Sequence, residues 1–317
     1  MSDAREPVRA DFQQTVLRAG CKINLNLVIT GRRDDGYHLL DSVFHPLDEP
    51  HDTLTVRPGE RPGLALSTAE AGIDPHRNTL TRAWSVFAEA TGLEFALDVD
   101  LEKGIPWGAG LGGGSSDAAV LLRFLASLAA GIGRPVAEAE LHAMAAGVGA
   151  DVPFFLVAKP CRVTGIGDRL EILEPGDLDL PGRELLLVMP DVKVSTPWAY
   201  RAYDEASERG DADRHGSVTQ LPRKNAETLT GPAKASKECL PKYSPAGLFV
   251  NDLEDVVFGQ HPEIRAVRDH LLQLGACAAC MSGSGSSVFG VFKEHSTACA
   301  AASAMPWRVQ HCALSGM

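Results

Sequence analysis

A dense run of glycine stands in the first half of the sequence, where five of the seven residues at positions 108–114 are glycine. Pro106 and Trp107 precede the run, and two serines follow it. Alternating apolar residues at 95–101 predict a strand before the run, and an apolar stretch at 118–130 predicts a helix after it. Glycine lets the backbone approach a ligand closely, and the N-terminus of a helix attracts negative charge. The order strand, glycine loop, helix therefore predicts a phosphate-binding site.

Three other structures could contain such a glycine run. A Walker A loop needs a Lys-Ser or Lys-Thr pair after its last glycine, and Ser115-Ser116 stands there instead. A dinucleotide fingerprint needs a βαβ unit, which the pattern after the run does not predict. A flexible turn before a helix capped by Ser115, Ser116 or Asp117 is the plainest alternative. The density of glycine and the two serine hydroxyls favour the phosphate site over that turn.

An alternation of polar and apolar residues at 21–30 predicts a strand with Lys22 and Asn24 on one face and Ile23 and Leu25 on the other. A lysine beside an amide can hold a substrate hydroxyl or orient a carboxylate. A solvated strand face explains the same pattern about as well. The residues alone leave both interpretations open.

Asp151 lies in the segment GADVP at 149–153, immediately before Phe154 and Phe155. A carboxylate beside such apolar bulk is poorly solvated and needs a partner. It could serve as the general base that takes a proton from a hydroxyl. An aspartate that caps a helix or stabilises a turn is an equally simple alternative.

The composition limits the possible partners. With 30 Lys and Arg against 41 Asp and Glu, the formal net charge is −11, and no basic patch for a polyanion stands out. No apolar stretch is long enough to span a bilayer, and the charged N-terminal residues do not resemble a secretory signal. We therefore expect neither nucleic acid nor membrane as a partner. A bound nucleotide would depend on backbone N–H groups, a few lysines and a metal ion.

Seven cysteines at irregular spacings indicate a reducing compartment, so we expect a cytoplasmic protein. Two of them, Cys277 and Cys280, form a single C-x-x-C pair. Such a pair could be redox-active or bind a metal, but no second pair accompanies it. We therefore interpret both residues as small buried hydrophobes.

The length of 317 residues predicts two domains. A segment rich in Pro, Gly and Asp at 174–182 is the predicted boundary, which gives domains at 14–176 and 177–317. Residues 207–244 are polar with few large apolar groups, and we expect a partly mobile surface excursion there. Periodicity predicts further strands at 39–47, 53–57 and 185–189 and helices at 78–91, 136–147 and 251–273.

A second glycine loop, SGSGSS at 282–287, follows a predicted strand. It could flank a substrate or brace the first glycine loop. Taken alone, it could equally be a tight hairpin.

Together and in this order, these segments resemble the GHMP kinases, the superfamily of galacto-, homoserine, mevalonate and phosphomevalonate kinases. The resemblance runs from about Val16 to Val291 and is carried by three motifs, at 21–27, 106–119 and 281–290. It implies an α+β, two-domain fold, with a ribosomal-S5-domain-2-like N-terminal domain, a ferredoxin-like α/β-plait C-terminal domain, and the active site between them. It also implies ATP as the phosphate donor, together with Mg²⁺.

Within the superfamily, four segments are similar to the diphosphocytidyl-methylerythritol kinases: GRRDDGYH at 31–38, LGGGSSDAA at 111–119, GADVPFF at 149–155 and NDLE at 251–254. Those enzymes of the non-mevalonate isoprenoid pathway transfer the ATP γ-phosphate to the 2-hydroxyl of the methylerythritol moiety of a cytidine-diphosphate sugar alcohol. The resemblance implies the same activity, an alcohol-group phosphotransferase, for this sequence.

The resemblance also implies roles by position. Asp151 would accept the hydroxyl proton, and Lys22 would stabilise that carboxylate and the developing alkoxide. The implied substrate-binding residues are Asn24 on the erythritol, Tyr37 and His38 on the cytosine, and Tyr200 as the opposing aromatic. The implied ATP-binding residues are Asn78, Lys103, Pro106, Trp107, Gly108, Ala109, Gly110, Leu111, Gly112, Gly113, Gly114, Ser115 and Ser116. Ser116 is also the implied ligand of the magnesium ion.

Other functions remain as alternatives to this substrate. A kinase for mevalonate or homoserine would use the same loops, but its substrate has no base for Tyr37 and His38 to bind. A catalytically inactive ligand-binding relative would be expected to lack Lys22 or Asp151, and both are present. An RNA-binding protein with the same N-terminal fold is disfavoured by the net charge of −11. We expect a small-molecule kinase that is a monomer or a weak homodimer.

Overall fold

A computed structural model describes residues 8, 11–70, 72–75, 77–174, 176–178, 180, 182–209 and 248–314. The described residues form two compact units. The first unit takes in Met1–Ile23 and Thr30–Glu171, and the second takes in Asn24–Ile29 and Ile172–Met317. A single strand, β1, therefore contributes residues to both units.

The first unit is a mixed sheet with helices. Its strands are ordered β3-β4-β2-β5-β6, and β1 pairs with β2. The pairing of β3 with β4 is parallel, whereas β2 is antiparallel to both β4 and β5. The elements are β1 Thr15–Arg32, β2 His38–Pro58, β3 Gly63–Thr68, α1 Thr79–Thr91, β4 Ala96–Glu102, α2 Gly113–Gly131, α3 Glu138–Val148, α4 Val152–Val157, β5 Cys161–Gly165 and β6 Arg169–Ile172.

The core of the first unit lies between the sheet and the helices α1 to α4. Phe87 of α1 and Leu121 of α2 are fully buried in it, together with Phe95 just before β4. The helix predicted at 78–91 is confirmed as α1, and Asn78 is its N-cap residue. Burial of one face of each helix against the sheet supplies most of the stability of such a layer.

The two strands predicted at 39–47 and 53–57 are one strand, β2, of 21 residues. The strand includes Pro50, although proline cannot donate to a ladder. In the structure β2 pairs with β5 up to Phe44 and with β4 from Thr53 onward. Pro50 falls between these two ladders, so its missing N–H leaves neither of them incomplete.

Helix α2 begins at Gly113, five residues before the predicted start. Gly112 is the N-cap residue with a φ of 73°, and no side chain in the described part of the chain caps this helix. The prediction that Ser115, Ser116 or Asp117 caps it is wrong, because all three lie inside the helix. A left-handed glycine ends the loop earlier than the apolar pattern alone indicated.

The second unit contains a four-stranded antiparallel sheet ordered β10-β7-β9-β8. This is the strand order of a ferredoxin-like plait, in which each βαβ half crosses the sheet with a helical connection. The predicted α+β, two-domain fold is thus confirmed. The elements are β7 Arg183–Met189, α5 Thr196–Arg209, α6 Glu254–Gln260, α7 Pro262–Gln273, β8 Ala278–Met281, β9 Val288–Phe292, α8 His295–Ala304 and β10 Arg308–Leu314.

One prediction for this half of the chain is wrong in detail, and another lies mostly outside the described residues. The helix predicted at 251–273 is two helices, because Pro262 cannot continue α6 and instead is the first residue of α7, with His261 as the N-cap residue. Of the excursion predicted at 207–244, residues 207–209 are the end of α5, and the remainder lies outside the described residues. No helix in the described ranges combines the length and the apolar character needed to cross a bilayer.

Candidate active site

The glycine loop enters α2 by repeated left-handed turns. Gly108, Gly110 and Gly112 have φ values of 74°, 75° and 73°. The residues between them, Ala109 and Leu111, are buried. Every second residue thus anchors the loop in the core while the intervening glycine turns the chain. The α2 N-terminus that follows presents N–H groups and the positive end of the helix dipole, as an anion site requires.

A buried carboxylate, Asp52 on β2, holds the start of the loop. Its Oδ1 accepts hydrogen bonds from the N–H groups of Gly104 and Ile105, each at 2.8 Å. A side chain at Gly104 would come within 1.9 Å of the carbonyl oxygen of His51, so glycine is required there by close approach. Sequence reasoning missed Asp52. The available signal was a lone aspartate in a strand pattern, since a charged group buried in a sheet needs a partner.

Lys103 joins Asp52 to Asp117 of α2. Its Nζ contacts Asp52 Oδ2 and lies 3.1 Å from Asp117 Oδ2, and its side chain is only 8% exposed. The Asp52–Lys103–Asp117 cluster therefore ties the beginning of the loop to the helix at its end. Lys103 was expected near the nucleotide, and in this structure its ammonium is engaged by these two carboxylates.

The pKa values in this cluster follow from one cation shared by two buried acids. Burial lowers the pKa of Lys103, but Asp117 and Asp52 together raise it above the usual value. Burial, which Lys103 only partly offsets, raises the pKa of Asp117 to about 7. Asp52 has two backbone donors, whereas Asp117 Oδ1 has no partner among the described residues. Asp117 is therefore the carboxyl group of this cluster that holds a proton readily.

Lys22 and Asp151 form an ion pair beside the glycine loop. Lys22 Nζ lies 3.8 Å from Asp151 Oδ2, and the two side chains are 6% and 32% exposed. The N–H of Lys22 donates to the carbonyl oxygen of Leu111 at 3.0 Å. A methyl group placed on Gly112 would be 3.3 Å from Lys22 Cγ and 2.9 Å from the ring of Phe155. The structure thus brings Lys22, Asp151 and the end of the loop together.

The environment of Lys22 is unlike that of a surface lysine. Every residue of β1 from position 21 to 27 is buried, so the solvated strand face considered for Lys22 and Asn24 is excluded. Burial lowers the pKa of Lys22, and Asp151 opposes that change. The ammonium also lies 4.4 Å from the centroid of the Phe44 ring, an additional attraction for a desolvated cation.

Asp151 occupies the N-cap position of α4, but its side chain makes no capping hydrogen bond among the described residues. The carboxylate instead faces the ammonium of Lys22 and remains one-third exposed. A group so placed can accept a proton from an incoming hydroxyl while an adjacent cation stabilises the charge.

The remaining positions expected in the first unit lie on surrounding elements. Asn78 caps α1 by accepting from the N–H groups of Leu80 and Thr81 at 2.8 and 3.0 Å. Thr79 Oγ1 is 3.3 Å from where a methyl group on Gly114 would lie, so the start of α1 adjoins the start of α2. Tyr37 is 62% exposed at the end of the turn before β2, and His38 begins that strand.

Asn24 and Tyr200 fall in the second unit. The backbone N–H of Asn24 donates to Ser282 Oγ at 3.1 Å, which links β1 to the second glycine loop. Tyr200 lies on α5 and is partly buried. Asn251 braces the same loop, because its Nδ2 donates to the carbonyl oxygens of Met281 and Gly283, each at 2.8 Å. Sequence reasoning gave Asn251 no role beyond its motif.

Ser115, Ser116 and Asp151 supply oxygen donors near the glycine loop, which is the ligand type that Mg²⁺ prefers. Mg²⁺ prefers oxygen, keeps several waters, and is usually bound through one or two carboxylates and substrate phosphates. Ser116 is buried within α2, Ser115 is partly buried, and the Asp151 side chain is about one-third exposed. This donor set fits an ion that arrives on a nucleotide and takes few ligands from the protein.

Both halves of the chain match models of one superfamily. The GHMP kinases N terminal domain matches residues 78–159, and the GHMP kinases C terminal domain matches residues 242–308. A crystal structure of 4-(cytidine 5'-diphospho)-2C-methyl-D-erythritol kinase superposes with a TM-score of 0.66 at 33% identity, covering 94% of this chain and 98% of that one.

Relatives that match over most of their length identify the family within this superfamily. The chain is 48% identical over 285 residues to 4-diphosphocytidyl-2-C-methyl-D-erythritol kinase of Nitratidesulfovibrio vulgaris (strain DP4), covering 90% of this chain and 92% of the relative. It is 41% identical over 280 residues to the enzyme of that name from Lawsonia intracellularis (strain PHE/MN1-00), covering 88% of each. The chain therefore belongs to the 4-diphosphocytidyl-2-C-methyl-D-erythritol kinase family of the GHMP kinases.

Proposed function

We propose that this chain transfers the γ-phosphoryl group of ATP to the 2-hydroxyl of 4-diphosphocytidyl-2-C-methyl-D-erythritol, giving the 2-phosphate and ADP. The observation that carries the proposal is the ion pair of Lys22 and Asp151 beside a glycine loop with three left-handed glycines. Membership of the family supports the choice of substrate. This activity belongs to the non-mevalonate route to isoprenoids.

In the proposed reaction, residues 106–116 hold the phosphates of ATP. Phosphoryl transfer needs little covalent help from the protein and depends on positioning and on neutralisation of charge. The backbone N–H groups at the start of α2 supply both in a chain whose net charge is −11. The Asp52–Lys103–Asp117 cluster keeps the two ends of the loop in place, so the N–H groups are preorganised before the nucleotide binds.

In the transfer step, the substrate hydroxyl loses its proton as its oxygen attacks the γ-phosphorus. Asp151 accepts the proton of the 2-hydroxyl, and that oxygen forms a bond to the γ-phosphorus as the bond from phosphorus to the ADP oxygen breaks. Lys22 stabilises the carboxylate before transfer and the developing alkoxide during it. Mg²⁺, when bound with ATP, neutralises charge on the phosphate oxygens, and the hydroxyls of Ser115 and Ser116 are its proposed protein contacts.

The sugar alcohol would be recognised by aromatic and polar groups. Tyr37 offers an exposed ring on which cytosine can stack, and His38 can bind the polar edge of the base. Asn24 and Tyr200 are also proposed as substrate-binding residues, from the family resemblance. We also propose the cytoplasm as the location, since the six cysteines in the described ranges are all free thiols.

The test is ADP release by purified protein with Mg-ATP, comparing the diphosphocytidyl-methylerythritol substrate with mevalonate, homoserine and galactose. We expect turnover only with the cytidine compound, and ³¹P NMR should locate the new phosphate on the 2-hydroxyl. The Asp151→Asn protein, purified in parallel, serves as the control for a contaminating kinase.

Each other outcome changes a defined part of the proposal. Turnover with another alcohol would retain the phosphate loop and remove the assignment of Tyr37 and His38. Absence of turnover with every acceptor, combined with normal ATP binding, would favour a ligand-binding relative without activity. ADP release that is unchanged in Asp151→Asn would point to a contaminant or to a reaction that needs no carboxylate base.

A further inference from the structure

Three side chains with metal-binding chemistry meet on the second unit, in a cluster that the proposed kinase reaction does not use. His295 and Cys299 are four residues apart on α8 and therefore share one face of that helix. His311 comes from β10. The Cys299 Sγ lies 3.3 Å from His295 Nε2 and 4.0 Å from His311 Nδ1. One ligand atom from each of the three residues lies within 4.8 Å of the others.

A single carboxylate orients both histidines. Glu184 of β7 contacts His295 Nδ1 through Oε1 at 3.2 Å and His311 Nε2 through Oε2 at 2.7 Å. The two imidazole rings stack with their centroids 5.2 Å apart. Because Glu184 engages the outer nitrogen of each ring, the inner nitrogens are left facing the thiol. A carboxylate behind a histidine is the usual second layer of a protein metal site.

The fold makes this arrangement from adjacent elements. β10 is an edge strand that pairs with β7, and Glu184 lies opposite Ala313, two residues beyond His311 on the same face of β10. His311 and Glu184 are therefore diagonal neighbours across the ladder, within reach of each other's side chains. The C-x-x-C pair singled out in the sequence does not contribute. Cys280 is buried, and Cys277, contrary to expectation, is exposed, with its thiol donating to the carbonyl oxygen of Val291.

We propose that His295, Cys299 and His311 bind one divalent transition-metal ion of the zinc class, with a fourth position left for water. A thiolate and two imidazoles suit such an ion and exclude Mg²⁺ and Ca²⁺, which select oxygen. Zinc bonds of about 2.3 Å to sulfur and about 2.0–2.1 Å to nitrogen imply an S···N separation of about 3.6 Å at a tetrahedral centre. The separations of 3.3 and 4.0 Å bracket that value.

The ion would join α8 to the edge strand β10. Its residues are separate from those of the proposed phosphoryl transfer, so the site is expected to stabilise the second unit without taking part in turnover. Any ligand that binds only the folded state raises the midpoint of thermal unfolding. The adjustment on binding is small, because His295 is 70% exposed and can rotate toward the thiol.

The test uses untagged full-length protein freed of metal with a chelator, and Zn²⁺ and Co²⁺ as probes. Zinc bound after equilibrium dialysis is expected at about one ion per chain. Co²⁺ should give the intense d–d bands of a tetrahedral site and a thiolate-to-cobalt charge-transfer band. Cys299→Ser should lose the charge-transfer band and the bound zinc, whereas Cys277→Ser, which alters an exposed thiol outside the cluster, should keep both. Glu184→Gln should weaken binding about 10–100-fold.

Two further readouts keep the proposal open to refutation if a variant folds poorly. Zn²⁺ should raise the Tm of the wild type and of Cys277→Ser but not that of Cys299→Ser. His295→Gln, at an exposed position, should fold normally and still lose the tetrahedral cobalt spectrum. Equal zinc content and identical cobalt spectra in the wild type and Cys299→Ser would overturn the proposal. So would a wild-type protein that retains no zinc after dialysis.

Discussion

The ion pair of Lys22 and Asp151 joins a buried cation to a carboxylate that solvent still reaches. The two partners are 6% and 32% exposed, so removing one has a different consequence from removing the other. Loss of the carboxylate leaves a buried ammonium without this ion pair, although the ring of Phe44 still lies beside it. Loss of the ammonium leaves a carboxylate that water can solvate. Substitutions at these two positions should therefore change activity and stability to different degrees.

Asp151→Asn is expected to lower kcat about 10²–10⁴-fold, because the amide cannot accept the hydroxyl proton. ATP binding should be nearly unchanged, since the glycine loop does not depend on this side chain. ADP release and calorimetric titration with nucleotide measure the two effects. Asp98→Asn, at an exposed position on β4, is the matched control and should match the wild type. Near-normal turnover in Asp151→Asn protein free of contaminating kinase would show that the reaction needs no carboxylate base.

Lys22→Met is expected to lose activity without losing stability. Burial lowers the pKa of Lys22, so the unfolded chain holds this proton more tightly than the folded chain does. The charged form therefore costs stability at neutral pH, and that cost disappears as pH rises from the lowered pKa toward 10.5. Methionine of similar length avoids the cost, so the free energy of unfolding should change by less than about 1 kcal/mol or increase.

Urea unfolding and steady-state kinetics test this separation together. The loss of charge stabilisation should lower kcat/KM about 10²–10³-fold. Lys159→Met, at an exposed position after α4, is the control and should change neither quantity. A Lys22→Met protein that is destabilised by several kcal/mol would mean that the ammonium is structural, and the loss of activity could then not be assigned to catalysis.

At the scale of elements, the glycine loop offers a matched pair of substitutions. Gly108 and Gly112 have nearly the same φ, 74° and 73°, so alanine at either position carries a similar left-handed strain of about 1–2 kcal/mol. A methyl group at Gly108 meets nothing within 4 Å, whereas at Gly112 it comes 2.9 Å from the ring of Phe155. Gly112→Ala should thus be less stable than Gly108→Ala by a further ~1–3 kcal/mol.

The same two variants distinguish the effect of a displaced loop on ATP binding from the effect of left-handed backbone strain. Gly112→Ala moves the loop away from Phe155 and Lys22 and should raise the KM for ATP more than Gly108→Ala does. Chemical unfolding gives the stability difference, and initial-rate kinetics give the two KM values. Equal stability of the two variants would contradict the close packing of Gly112 on α4.

The Asp52–Lys103–Asp117 cluster predicts a pH dependence of stability. The folded-state pKa of Asp117 is about 7 against an ordinary value of 3.8, so the folded chain holds this proton more tightly than the unfolded chain. Its stabilising contribution is complete below pH 3.8 and is lost as pH rises through about 7. Asp117→Asn cannot titrate there. The stability of the wild type relative to Asp117→Asn should therefore fall by more than about 1 kcal/mol between about pH 4 and about pH 8.

Urea unfolding of both proteins across that range measures the difference. A constant difference would mean that Asp117 is ionised throughout and that Lys103 balances both carboxylates. The comparison is made within one position, so titration of every other group cancels to the extent that the two structures agree.

Sequence patterns predicted some elements of the candidate site and missed others. The strand, glycine loop and helix order at 95–130 was predictable, because periodicity and glycine density are local properties. The start of α2 was not predictable, because Gly112 caps the helix through its backbone conformation. No capping side chain marks that position in the sequence. Asp52 was missed for a related reason, because its partners Gly104, Ile105 and Lys103 lie some fifty residues later in the chain.

At the scale of the whole molecule, the two-domain α+β fold was predictable from the order of motifs, whereas the burial of β1 was not. An alternating strand is normally half-exposed, yet residues 21–27 are buried on both faces. That burial depends on partners distant in sequence, such as Ser282 for Asn24 and Asp151 for Lys22. The cluster of His295, Cys299 and His311 was not predicted either. Two of its residues are on a helix and the third is on an edge strand, so the fold brings them together.

The cysteines provide a test of both cores at once. Cys161 belongs to the first unit and Cys280 to the second, and each is fully buried. Burial raises the pKa of the Cys161 thiol to about 11, and burial together with Glu254 raises that of Cys280 well above its usual value. Since the thiolate is the reactive form, neither thiol should react until its unit opens.

Mass spectrometry of protein exposed to a thiol reagent in native buffer should show Cys277 and Cys299 modified first, because both are exposed. Cys161 and Cys280 should react slower by at least about 10³-fold, a protection that corresponds to the lower end of ordinary domain stability. Since mass spectrometry resolves each cysteine, the slow modification of Cys161 and Cys280 is measured separately from the fast modification of the exposed thiols. Denaturant should abolish the protection, and the concentration at which each buried thiol becomes reactive gives the stability of its own unit. Rapid native-state labelling of Cys161 or Cys280 would contradict the burial of that residue in the structure.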